Sequence, residues 1–227
     1  MKYSSIWYLL IPVLVFTACK NKGIPEGVVS AKVIEYKVNY LSEKAGAIPT
    51  KMLPGKMTVI FADHYALNKI EGFFGQFSLV YIGNLKNESV ITMLKLFDKK
   101  YVCYGKKGEL PCGFRNLKNL SVKETGNIRD LLGMPCKELQ ISSDENHPFY
   151  ALSTDKIGIK NPNITTPYKE IKDVLLEFNT HLSLLDMKLT AISVQEKTIS
   201  WDIFHVSEEY KERPREFMEN TISELFK

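Results

Sequence analysis

Gln76 to Ile82 read QFSLVYI, and Lys56 to Ala62 read KMTVIFA. Successive side chains of a strand point to opposite faces. In the first run Phe77, Leu79 and Tyr81 therefore face one way while Val80 and Ile82 face the other; in the second, Met57, Val59 and Phe61 oppose Ile60. A sheet with one solvated face alternates apolar with polar residues, so these strands need cover on both sides. Two sources of cover can be read from the chain. One is packing by its own helix and loops. The other is an apolar ligand in the concavity of a curved sheet, with Met57, Val59, Phe61, Phe77, Leu79, Tyr81 and the connecting Phe73 as the candidate lining.

Outward from these two runs the chain is a series of short β-rich stretches with turn residues between them: 28–41, 65–71, 89–96, 100–104, 117–124, 137–142, 148–152, 174–182 and 188–196. No long helix separates them, which excludes βαβ units. The expected fold is mainly β, a curved antiparallel sheet or open half-barrel. A C-terminal helix follows, with Pro214 suited to its first position and Met218, Ile222, Leu225 and Phe226 forming one apolar stripe. Its polar face carries Glu216, Glu219 and Glu224, which suits packing on the sheet better than lying on a membrane.

Composition is that of an ordinary globular chain: 227 residues, 44% hydrophobic, 25% charged, and 30 Lys and Arg against 26 Asp and Glu for a formal charge of +4. That excludes disordered and collagen-like classes. Arg is scarce beside Lys and no guanidinium stripe is present, so nucleic acid is not an expected partner.

The first residues read as an address. Lys2 precedes an apolar run from Ile6 to Phe16, too short to span a bilayer and of the length of a signal-peptide core. Phe16, Thr17 and Ala18 then precede Cys19, a pattern that resembles the lipobox of bacterial lipoproteins. The expected organisation is a leader over residues 1–18, a lipid-bearing Cys19 opening a tether over 19–27, and one β-rich domain over 28–227. Lys20, where an Asp would retain a lipoprotein at the inner membrane, points to the periplasmic face of the outer membrane, with the cell surface as a variant.

Three further cysteines follow, Cys103, Cys112 and Cys136. A turn centred on Lys107 and Gly108 would set 103 opposite 112, and a bridge from 112 to 136 is an equal alternative; either leaves one thiol over. No Cys-x-x-Cys pair or His at ligand spacing suggests a metal. The four histidines, His64, His147, His181 and His205, sit in no motif, and neither a nucleophile elbow nor a phosphate loop is present. No enzyme, cofactor or metal is expected.

Asn127 to Lys137 (NIRDLLGMPCK) resembles the Ile-x-Gly-Tyr-x-Cys-Lys strand start of uncharacterised Gram-negative envelope proteins. The stretch 153–178 (STDKIGIKNPNITTPYKEIKDVLLEF) is similar to their acidic residue, Pro-rich loop and Gly-Leu-Pro-Gly-Leu-Ile-like strand, with Ile171 to Leu176 (IKDVLL) in place of the last. This lipoprotein family of unknown function resembles in turn the half-barrels of the periplasmic lipoprotein carrier and its outer-membrane acceptor, which hold acyl chains on a concave apolar sheet. The resemblance implies a lipid or other apolar ligand and no catalytic residue. It also favours the Cys112–Cys136 pairing, because Cys136 occupies the family-like strand start. The competing expectation is a non-catalytic envelope scaffold that docks another protein through the irregular loop Lys160 to Tyr168 (KNPNITTPY).

Overall fold

The computed structural model of the protein describes residues 27–45, 48–144 and 147–226. The expected leader, Cys19 and the tether as far as residue 26 lie outside the described residues.

The strands are β1 (Val28–Tyr40), β2 (Lys44–Ala45), β3 (Ile48–Pro49), β4 (Lys56–Ala62), β5 (Tyr65–Gly72), β6 (Phe77–Asn84), β7 (Ser89–Leu96), β8 (Lys99–Tyr104), β9 (Ser121–Leu131), β10 (Met134–Ser142), β11 (Phe149–Thr154), β12 (Val174–Leu182), β13 (Leu185–Ser200) and β14 (Lys211–Glu212); helix α1 is Arg215–Glu224. Twelve of them form one open sheet in the order β14-β8-β7-β6-β5-β4-β1-β13-β12-β11-β10-β9, while β2 and β3 pair with each other. The mainly β, curved and open sheet with a C-terminal helix is thus the architecture. Its logic is two antiparallel meanders, β4 to β8 and β9 to β13, joined along β1, which pairs with β4 on one side and β13 on the other. Among the described strands only the short β14 runs parallel to its neighbour, β8.

Hairpins set the register. Leu132 and Gly133 both take positive φ, 58° and 73°, as the tight turn between β9 and β10 requires. The stretch with the family-like pattern is therefore the tip of a hairpin. β9, on the sheet edge, is exposed along nearly its whole length, and its Lys123, Glu124, Arg129 and Asp130 protect that edge from pairing with another chain.

Both faces of the central strands are covered, as their two-sided apolar pattern demands. The concave face carries Ile34, Tyr36, Val38, Phe61, Leu79, Tyr81 and Leu94, packed beneath Met218 and Ile222 of α1, beneath Phe226 just after it, and beneath the loops bearing Cys112, Phe114, Ile164 and Tyr168. Pro214 stands just before the first helical turn, and Arg215 donates to the Leu110 carbonyl at 2.8 Å, tying helix to loop. The opposite face carries Leu67, Val80, Ile82, Met93 and Val102, and what covers it is not α1. After Ser200 the chain folds back in a 3-10 turn, Trp201–Phe204, and lays Trp201 and Phe204 across those side chains. Ser200 Oγ accepts from the Asp202 amide, capping the turn, and Lys100 pairs with Glu209 to hold the segment that follows.

Candidate functional site

Strand β6 shows how the concave face is used along its length. At its far end Gly83 lies so close to the 157–171 loop that a Cβ there would stand 2.8 Å from Thr165 and 2.9 Å from Ile164. Asn68 on the neighbouring strand donates to Thr165 Oγ1 at 2.8 Å. Tyr81 follows, its ring 5.4 Å from that of Phe114 and its hydroxyl donating to the Cys112 carbonyl at 3.0 Å. Up to that point the protein's own loops fill the concavity.

Towards Phe77 the filling stops. An apolar cavity of about 230 Å³ opens there, bounded by Phe73, Phe77 and Leu79 on the β5–β6 side, by Ile70 and Leu53, by Leu182, Leu185 and Met187 of the β12–β13 hairpin, and by Leu225 and Phe226 after α1. Tyr40 borders it with a spent polar group, since its hydroxyl donates to the Pro54 carbonyl at 2.8 Å. Gln76 is the one amide on the lining. A cavity with so few unpaired polar groups is a poor host for water and a good one for hydrocarbon. The charged hollow of about 700 Å³ lined by Lys137, Lys172 and Asp173 has the opposite character.

Of the seven candidate lining residues, the structure brings three to this cavity: Phe73, Phe77 and Leu79. Met57, Val59, Phe61 and Tyr81 are buried in the same apolar cluster but away from the opening. Sequence reading missed Ile70, although it is the cross-strand partner of Leu79 and so shares its face. It also missed Leu185, Met187 and Phe226, for which strand parity within β6 carries no signal.

One expectation is corrected and another narrowed. The loop 160–168 is mostly packed inward: Pro162 to Tyr168 are buried, leaving Lys160 exposed and Asn161 half-buried. Asn163 donates its amide to the Ile171 and Asp173 carbonyls at 2.7 and 2.9 Å, which supplies internally the hydrogen bonds an irregular backbone needs in a core. Cys112 and Cys136 are not joined, and Cys103, Cys112 and Cys136 are free, buried thiols. The reason is positional. Cys112 binds Thr92 Oγ1 through its amide at 3.0 Å, and Thr92 is the register partner of Cys103 on β8. Cys136 sits on β10, near the other edge of the sheet, with its thiol donating to the Met134 carbonyl.

Burial pushes the Cys112 thiol up to about 12 from its usual 9.0. A raised folded-state value means that the folded chain keeps a proton the unfolded chain releases, so this stabilisation is complete below pH 9 and declines as pH rises towards 12. Denaturant titrations across that window are expected to show falling stability. Cys112→Ala should make the part of the fall that begins nearest pH 9 shallower, leaving the part due to Cys136, whose thiol burial also raises, and at higher pH the part due to Tyr36 and Tyr81. A decline of the same onset and slope in Cys112→Ala would contradict this.

Among the described residues no three His, Cys, Asp or Glu side chains gather at metal-binding distance. His181 and Asp186 meet at 2.6 Å, but as half-exposed register partners across the β12–β13 hairpin, an ordinary cross-strand polar pair. Among the described residues no helix is long and apolar enough to cross a membrane.

No protein-family model and no curated protein matches the chain. Crystal structures of PNGF-II in space groups P21 and C2 are similar to it, each at a TM-score of 0.56, with 16% and 15% identity over 85% of this chain. They align over 33% and 32% of their own length, so the chain spans about a third of the structures it matches. At that identity the likeness is one of fold, shared by this sheet and part of a longer protein.

Proposed function

We propose that this is an envelope lipoprotein, anchored through Cys19 at the periplasmic face of the outer membrane, whose sheet binds the apolar part of a lipid in the cavity at the Phe77 end of β6. The observation that carries the binding is the cavity itself, apolar but for Gln76 and the already bonded Tyr40 hydroxyl, and placed where the concave face is left unfilled. Size narrows the ligand. At about 230 Å³ the space falls below the roughly 300–1,000 Å³ of sites that take drug-sized molecules. It accepts one acyl chain, or the end of one, and leaves the headgroup outside. The burial of Pro162 to Tyr168 supports this reading over the scaffold alternative.

A fluorescent fatty acid, with native mass spectrometry for copurifying lipid, tests the reading. The protein is expected to bind the probe, and Leu79→Trp, which puts an indole into the cavity, is expected to weaken binding at least about tenfold. Val80→Ala, on the face covered by Trp201 and Phe204, should leave binding unchanged. No bound lipid together with no probe binding, or equal binding by Leu79→Trp, would remove the acyl-chain reading.

A further inference from the structure

The cavity lies at one end of the sheet, and the connections at that end share a property. Leu41 and Met52 between β1 and β4, Phe73 and Phe74 between β5 and β6, Phe97 between β7 and β8, and Leu184 between β12 and β13 are all exposed large apolar side chains. Single exposed apolar residues are unremarkable, but six on four neighbouring connections around an apolar opening form a patch of the kind that marks an interaction surface. Phe73, Phe74 and Phe97 also adopt φ of 51°, 54° and 55°, a left-handed conformation that bulky residues rarely take. Backbone strain of this kind persists where the fold or the function requires it, and here it holds Phe74 and Phe97 out in solvent. Charges lie among them: Lys51, Lys56 and Lys99 are exposed and Lys95 reaches the Gly75 carbonyl at the β5–β6 tip at 2.7 Å, while Glu43, Glu71 and Asp98 are exposed and Asp186 half-buried, with Glu71 paired to Lys69 and Asp186 to His181.

We propose that this rim docks on an anionic lipid bilayer, its aromatic and aliphatic tips at the acyl boundary and its lysines at the headgroups. Apolar tips with interspersed cations are what an anionic interface rewards, by buried apolar area and by charge together. The inference deepens the acyl-chain reading and rests on it for its purpose, because a cavity opening inside the rim would meet acyl chains directly.

Residues 27–227 contain every described element and both apolar clusters, so they carry what is needed to fold as a unit. The chain enters β1 at Val28, twelve positions from Tyr40 at the cavity end, roughly 40 Å of strand. Starting the chain at Gly27 therefore leaves the rim untouched and removes any anchor upstream. This chain is floated with vesicles of phosphatidylethanolamine and phosphatidylglycerol. Cofloating is expected, with a roughly tenfold loss in Met52→Ser/Phe74→Ser. Neither residue lines the cavity, so that variant should still bind the fatty-acid probe, which also reports that it is folded. A wild-type chain that binds the probe but does not float overturns the rim and spares the cavity reading; one that floats without binding the probe supports the rim and removes the cavity reading. Equal flotation by wild type and variant overturns the rim. So does a dimer in solution that the double substitution dissolves without any vesicle binding, for then the patch is an interface between copies.

Discussion

Phe204→Ala is expected to lower the unfolding free energy by about 3–5 kcal/mol, the range for an aromatic ring lost from a core. Phe204 has no exposed surface, its ring lies 5.5 Å from those of both Tyr65 and Trp201, and it closes the cluster of Leu67, Val80 and Ile82. The truncation would leave a void, and the turn that carries it is too short to collapse inward as a helix might. Because this cluster lies on the face away from the cavity, fatty-acid binding per folded molecule should not change. Urea denaturation read by tryptophan fluorescence measures the first effect and probe titration the second. A loss below about 1 kcal/mol would mean that the Trp201–Phe204 turn does not pack on the sheet in solution.

Tyr168 supports an equally large expectation on the concave side. It is 1% exposed, its ring stands edge-on to Phe149 and Phe178 at 6.2 and 6.1 Å, and its hydroxyl donates to the Asn179 carbonyl at 2.7 Å. Tyr168→Ala should cost about 3–5 kcal/mol through the void. Tyr168→Phe keeps the ring but leaves the carbonyl without this donor, and should cost about 1–3 kcal/mol. The pair of variants separates packing from hydrogen bonding. It also decides how the loop works, since a solvated docking loop would tolerate either change within about 0.5 kcal/mol. Two small effects would restore the loop as a contact surface.

The strands were legible because their signal is local. Lys56–Ala62, Ser89–Leu96 and Val174–Leu182 fall on the stretches their alternation marks, and β1 differs from its stretch only at Leu41. The two-sided apolar character of β4 and β6 was legible for the same reason. It implied cover on both faces, and both faces are covered. The turn Trp201–Phe204 was not legible as a cover, because four residues carry no periodicity that names the strands they will meet. The loop 160–168 misled for a related reason. Proline and asparagine indicate irregular backbone, and irregular backbone is normally solvated; only the Asn163 amide bonds to Ile171 and Asp173 make it tolerable inside.

The candidate site divides in the same way. Strand parity set Phe77, Leu79 and Tyr81 on one face, and they share it. Parity has no term for position along the strand, so it could not separate Phe77 and Leu79, which border the cavity, from Tyr81, which Phe114 covers. The sequence by itself thus determined the alternation, the hairpins and the need for two covers, all properties of residues within a few positions of one another. The tertiary structure decided which segments supply the covers, where the concave filling ends and which thiols are neighbours. Those outcomes join residues such as Val80 and Phe204, or Leu79 and Phe226, that are distant in the chain, and which of them meet is settled by the shape left over once the sheet has formed.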